Sequence, residues 1–229
     1  MQGWEEFVCA GVIFLLSHIL PARPYVRQRL TKWLGRYTYL GLYSVISLVL
    51  LAWLIAAAGR APYVALWSWS PERAWLTNLL MVIALVLTVC GTAIANPFSL
   101  GGLSGRIYDP SRPGILFVTR HPLLWALVFW ACAHLLVNGD LAHVVLFGAT
   151  GVFAFLGVLV LERRARRRAK EEWRRLSAGT GLFPFAALLN GKGRWSSLPG
   201  WRLTCVPLVW IALVRLHQPV LGVSPLPPL

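Results

Sequence analysis

Acidic side chains are scarce in this sequence: 8 Asp and Glu stand against 22 Lys and Arg in 229 residues, a formal net charge of +14. Charge of either sign is thin, at 13% of residues, where a soluble domain carries roughly a quarter. Too little polar surface is left to clothe a water-facing fold. The basic residues stand between long apolar runs, so no nucleic-acid partner is expected despite the charge. Cysteine is limited to Cys9, Cys90, Cys132 and Cys205, all inside apolar stretches. Buried thiols of that kind act as small hydrophobes, so disulfides are not expected. No CxxC or Cys/His spacing marks a structural zinc site. No basic residue precedes Arg23, and Glu5 and Glu6 sit near the start. Without a positive leader region, the first apolar run is expected to be retained. No internal repeat is present.

What remains is apolar: 57% of residues are hydrophobic and the mean hydropathy is +0.63. A helix needs about 20 apolar residues to cross a ~30 Å hydrocarbon layer. Runs of that kind predict helices over 5–21, 38–58, 75–95, 121–138, 141–161 and 201–217. The first ends at Pro21 and carries Ser17 and His18; the third stops at Asn96-Pro97. The fourth and fifth form a hairpin across Asn138-Gly139-Asp140, and the sixth contains Pro207 and Arg215. The expected fold is an all-α integral membrane protein, a polytopic bundle of about six transmembrane helices in one domain over 1–217. A proline-rich tail, 218–229, is expected to be unstructured.

Loop charge orients the bundle. The loop after the first helix carries Arg23, Arg27, Arg29, Lys32 and Arg36. The loop after the third carries Arg106, Arg112 and Arg120 against Asp109. The segment after the fifth carries Arg163, Arg164, Arg166, Arg167, Arg168, Lys170, Arg174, Arg175, Lys192 and Arg194. Alternate loops hold only Arg60 and Arg73 against Glu72, and Asp140 alone. This alternation places the basic loops against the anionic cytoplasmic leaflet and both termini outside. Over 162–178, Ala165, Ala169, Trp173 and Leu176 form a narrow apolar stripe, and Glu171 can pair with Arg174 and Arg175. The segment reads as a basic interfacial helix on anionic lipid, or as a binder of phosphate or propionate groups.

Ionisable residues inside spans mark function, and here histidine dominates. His18 lies in the first helix, His121 and His134 in the fourth, His143 in the fifth and His217 at the end of the sixth. Imidazole is a common axial ligand of haem iron, or a hydrogen-bonding partner between helices. In Thr119-Arg120-His121-Pro122 the proline suits a first helical turn. That places Arg120 and His121 beside free backbone N–H groups, as an anion site or as side chains snorkelling to water. His143 and His217 read as interfacial. Trp4, Trp33, Trp67, Trp69, Trp75, Trp195 and Trp201 flank apolar runs as interface belts, while Trp53, Trp125, Trp130 and Trp210 lie deeper.

Several stretches taken in order resemble one family. Ser17-His18 opens the match, followed by a basic stretch, Gly35-Arg36, and a Tyr/Ser-rich second helix. Asn96-Pro97-Phe98-Ser99-Leu100-Gly101-Gly102 follows, and then Gly114-Ile115-Leu116-Phe117-Val118-Thr119-Arg120-His121-Pro122. Ala133-His134 and Phe183-Pro184-Phe185-Ala186-Ala187 close the series. Together they look like the NnrU family of bacterial membrane proteins, whose relatives include the 15-cis-ζ-carotene isomerases. The resemblance implies a bacterial inner (cytoplasmic) membrane location and either an association with denitrification or a haem-dependent cis–trans isomerisation of an apolar polyene. It also implies haem b held through His18 and His134, with Arg120 and His121 near the propionates. The isomerases carry a cysteine three residues before the second ligand; Ala131 stands there in this chain, with Cys132 one position on.

Depth arithmetic opens a second pairing. On straight helices, His18 near the inner end and His134 near the outer end of their spans lie about 20 Å apart along the normal, whereas His121 is level with His18. Arg120-His121-Pro122 with Glu171-Glu172 also resembles the isoprenylcysteine carboxyl methyltransferases, which would imply S-adenosylmethionine. Those enzymes usually continue with tyrosine and glycine, where Leu123, Leu124, Trp125 and Ala126 stand here. A non-enzymatic accessory role in assembling a respiratory complex is the third alternative.

Overall fold

The computed structural model describes residues 3–21, 23–100, 107–191 and 200–227. Among these residues the regular structure is helical, apart from one isolated bridge between Ala65 and Asp140. Gly101, Gly102, Arg106, Lys192, Arg194 and Trp195 lie outside the described residues. The chain divides into two compact units, Met1–Ser68 with Asn138–Leu146, and Trp69–Val137 with Phe147–Leu229.

The first unit holds α1 (Trp4–Ile19), α2 (Pro24–Leu34) and α3 (Arg36–Arg60). Pro24 opens α2 at its first helical position, where a missing N–H costs nothing. Gly35, at φ 77, separates α2 from α3, a conformation that a side chain would disfavour. Helix α1 packs on α3. The Glu6 carboxylate ties them, accepting from Arg60 Nε at 3.0 Å and from Trp53 Nε1 at 3.0 Å. A strap after α3 pairs with the turn before the next long helix: Leu141 N donates to Val64 O at 2.9 Å and Leu66 N to Gly139 O at 2.7 Å. A Cβ at Gly139 would fall 1.9 Å from the Trp67 carbonyl oxygen, so only glycine fits this crossing.

The second unit is built on α4 (Pro71–Gly91), α5 (Pro122–Val137), most of α6 (Leu141–Ala169), α7 (Trp173–Ser177), α8 (Ala186–Leu189) and α9 (Gly200–Leu221). Ser70 caps α4, its hydroxyl accepting from Arg73 N. Helix α4 packs along α5 and α9. Thr77 Oγ1 donates to Ala133 O at 2.8 Å. Arg202 at the start of α9 donates to Val89 O and Cys90 O at 3.1 and 3.2 Å, filling orphan acceptors at the end of α4.

The apolar helices differ in length. Helix α3, helix α4, α6 with its continuation, and α9 are each long and apolar enough to cross a membrane; a fifth span results if the bent pair α1 and α2 counts as one. Helices α1 and α5 have 16 residues each, about 24 Å at 1.5 Å per residue, short of the ~30 Å layer. Four helices, or five with the bent pair, therefore reach spanning length by themselves, and α5 is an apolar helix shorter than the layer.

Residues 162–178 are helical and continuous with the preceding span: α6 runs on to Ala169, and a 3₁₀ turn over Lys170–Glu172 carries it into α7. No Gly or Pro interrupts this stretch, and Ala and Arg favour helix. Its apolar stripe faces protein, because Ala165 is buried and Trp173 and Leu176 pack on the core of this unit. In the tail, α9 continues through 218–221, and 222–227 form no helix or strand. Helix α9 passes Pro207 and Pro219 to Leu221, and the Asn78 side-chain amide donates to Pro225 O at 2.9 Å. Asn78 is buried in α4, and a buried amide without that partner would cost free energy.

Candidate functional site: a buried Arg-His-Glu centre and two half-buried histidines

The second unit brings four separated stretches to one point. Asn96 begins it. Its side-chain oxygen accepts from Phe98 N at 2.9 Å and Ser99 N at 3.1 Å, and its amide donates to Arg120 O at 3.1 Å. The backbone of 118–120 pairs with the segment before α8: Arg120 N donates to Gly181 O at 2.7 Å, and Phe185 N to Val118 O at 3.0 Å. Thr119 Oγ1 and Trp125 Nε1 both donate to Leu182 O at 3.0 Å. These bonds deliver Arg120 and His121 to the first turn of α5, facing Glu162 on α6.

The Arg120 guanidinium is almost fully committed. Nε donates to Glu162 Oε2 at 3.0 Å and a terminal nitrogen to Oε1 at 2.6 Å, a bidentate pair. The other terminal nitrogen donates to Thr180 O at 3.1 Å and Thr180 Oγ1 at 3.2 Å. Phe98 and Trp173 offer their rings at 5.9 and 5.4 Å, a cation–π setting. Arg120 and Glu162 are only 11% and 15% exposed.

His121 is sealed completely, with Nε2 3.0 Å from Glu162 Oε2. Arg120 already balances the charge of that carboxylate. Nδ1 of His121 has no hydrogen-bond partner, and the same is true of the buried hydroxyls of Ser99 and Tyr108. Tyr108 packs edge-on against Phe98 at 5.6 Å. Burial pushes its phenol up to about 12. Neither Arg120 nor His121 snorkels to water.

His18 and His134 belong to different units and share one local geometry. His18 Nδ1 lies 2.8 Å from Phe14 O, and His134 Nδ1 lies 2.8 Å from Trp130 O, in each case the carbonyl four residues back. A carbonyl only accepts, so the ring proton sits on Nδ1 and the lone pair on Nε2. Both rings are half-buried and lie among aromatics, His18 with Phe14 and Tyr43, His134 with Trp130 and Phe147. Ala131 is sealed and Cys132 is exposed, two residues and about 200° around the helix from His134. His143 instead pairs with Asp140 at 2.7 Å, and His217 Nδ1 lies 2.8 Å from Val223 O.

Glu162, Thr180 and the amide of Asn96 are the parts that sequence reasoning left without a role. A carboxylate at the point where an apolar run turns basic is the signal that marks Glu162.

Long apolar helices around a buried ionic centre define a multi-pass α-helical membrane protein. The NnrU protein family profile matches residues 6–225, and the chain belongs to that family. No curated protein and no solved structure matches it.

Proposed function

We propose that this NnrU-family protein binds one haem b in the bacterial cytoplasmic membrane, through Nε2 of His18 and of His134. One observation carries the reading: both histidines have Nδ1 fixed by a backbone carbonyl at 2.8 Å. A hydrogen bond from the far ring nitrogen selects the tautomer and orients the ring in haem and metal proteins. Half-burial of both rings supports the same choice. His121 is sealed on every side and offers no face to a porphyrin. A haem needs only one or two protein ligands, so the lack of a three-residue metal cluster among the described residues does not bear on it.

When bound, haem b supplies a redox-active iron suited to acting on an extended polyene. The chain's own part is to hold that iron in apolar surroundings, where a polyene substrate would partition from the bilayer. Arg120 and His121 brace the start of α5, the helix that carries His134, and are not assigned to the propionates. We place both termini in the periplasm, with the basic stretches at 23–36, 107–120 and 163–175 against the anionic cytoplasmic leaflet. Helix α5 then crosses as a short span, a mismatch that bilayers accommodate by local thinning.

Purification of the full chain from cells fed a haem precursor, followed by haem extraction, tests the reading. Haem b at one equivalent per chain is expected. A colourless protein that binds S-adenosylmethionine moves the assignment to methyl transfer, and one that binds neither leaves the accessory role.

A further inference from the structure

Helix α2 has no place in the haem reading, and its surface is unusual. It has no buried residue and turns 79° from α1. If α1 runs along the membrane normal, α2 lies nearly in the membrane plane. At 100° per residue, Tyr25, Val26, Leu30, Trp33 and Leu34 occupy about half of its circumference, and Arg27, Gln28, Thr31 and Lys32 the opposite side. Tyr25 and Trp33 are 71% and 75% exposed. The apolar side carries a shallow groove of about 290 Å³, lined by Tyr25, Val26, Arg29, Leu30 and Trp33.

Arg29 is the exception in that groove. It sits on the apolar side, donates to the Tyr25 hydroxyl at 3.1 Å, and holds its guanidinium 5.8 Å from the Trp33 ring centre. No acid stands anywhere between Pro21 and Trp69, and Arg29 makes no ion pair among the described residues. A cation held by two interfacial aromatics over an apolar groove matches a phospholipid in both its parts. The guanidinium pairs a phosphate oxygen through a charge-assisted bond, and the Tyr25 O–H remains available to donate to another. Val26, Leu30 and Trp33 cover the glycerol and upper acyl chain. Arg23, Arg27, Lys32 and Arg36 around it bias the choice towards lipids of net negative charge.

We infer that α2 is a binding site for an anionic phospholipid, with Arg29, clamped by Tyr25 and Trp33, as the phosphate contact. The inference rests on the membrane placement and not on haem, whose absorbance in the same preparations reads the other proposal separately.

The test uses the full chain in nanodiscs of phosphatidylcholine alone or with roughly one third phosphatidylglycerol. Amide hydrogen exchange over 24–34 is the readout. Exchange should slow by about tenfold in the anionic discs. Arg29→Gln should abolish most of that slowing, whereas Arg27→Gln, on the opposite face, should keep most of it. An equal loss in both variants would reduce the effect to general charge attraction and overturn the site. No dependence on phosphatidylglycerol in the native chain also overturns it. Slowing reproduced by soluble glycerol phosphate in phosphatidylcholine discs would make it a free-phosphate site and overturn the lipid assignment.

Discussion

Replacing Glu162 by glutamine removes one charge and almost no volume, and the structure sets the size of the consequence. The Arg120 guanidinium loses the bidentate carboxylate that balances it, and at 11% exposure it has little water to turn to. Thr180 and the Phe98 and Trp173 rings remain, but none of them carries negative charge. Breaking a buried ion pair from one side costs roughly 3–5 kcal/mol. For a chain of this size each kcal/mol lowers Tm by about 2–4 °C, so Glu162→Gln should lower it by about 6–20 °C. The assay is thermal unfolding of the detergent-purified protein. The double change Arg120→Gln with Glu162→Gln leaves no uncompensated charge and should be the more stable of the two variants, which a double-mutant cycle makes quantitative. A Tm loss below about 2 °C for Glu162→Gln, or a double variant no better than the single, would refute the buried ionic centre.

Further outcomes follow from the same geometry. Gly139→Ala drives a methyl into the Trp67 carbonyl and should cost about 2–3 kcal/mol, read as a fall in Tm. Tyr108→Phe removes a buried hydroxyl that has no partner, so stability should hold or rise slightly, because no hydrogen bond is lost. The raised phenol of Tyr108, at about 12 against an ordinary 10.0, makes unfolding easier in alkali. The unfolded state ionises first, so stability falls as pH rises from about 10 towards about 12, and Tyr108→Phe should flatten that limb. The Asp109 carboxyl lies below its ordinary value, through hydrogen bonds from the Ser111 side chain and backbone. Its contribution is present above the unfolded pKa and lost as acid titrates it; Ser111→Ala should move its carbon-13 titration back up towards the ordinary carboxylate range.

Much of the membrane character was legible in the sequence, because apolar runs and charge spacing are local signals. Helix α3 came out within two residues of the expected 38–58 at each end, and the Asn138-Gly139-Asp140 turn falls between α5 and α6 as the turn residues predicted. Helix length was less legible. Hydropathy measures apolarity, whereas helix length depends on where the backbone finds other partners. Ahead of α5 the backbone groups of Val118 and Arg120 are used by Phe185 and Gly181, and the helix begins at Pro122. Over 162–178 the pattern left open that Ala165, Trp173 and Leu176 pack on protein, because such a stripe can face lipid or protein equally well. Glu162 was unreadable in role for a related reason: its partners lie 41 and 42 residues away. The histidines were found as residue types, while the feature that separates His18 and His134 from His121 is which ring nitrogen is tied and how deeply the ring is buried.

The most direct test of the haem assignment is the absorption spectrum of the purified full chain, oxidised and reduced, in the native form and in His18→Ala, His134→Ala and His121→Ala. The account predicts a low-spin, bis-histidine haem b spectrum in the native protein. That signature should be lost in the first two variants and kept by whatever His121→Ala protein remains folded. A spectrum unchanged by both His18→Ala and His134→Ala, or no haem band in the native chain, would contradict it.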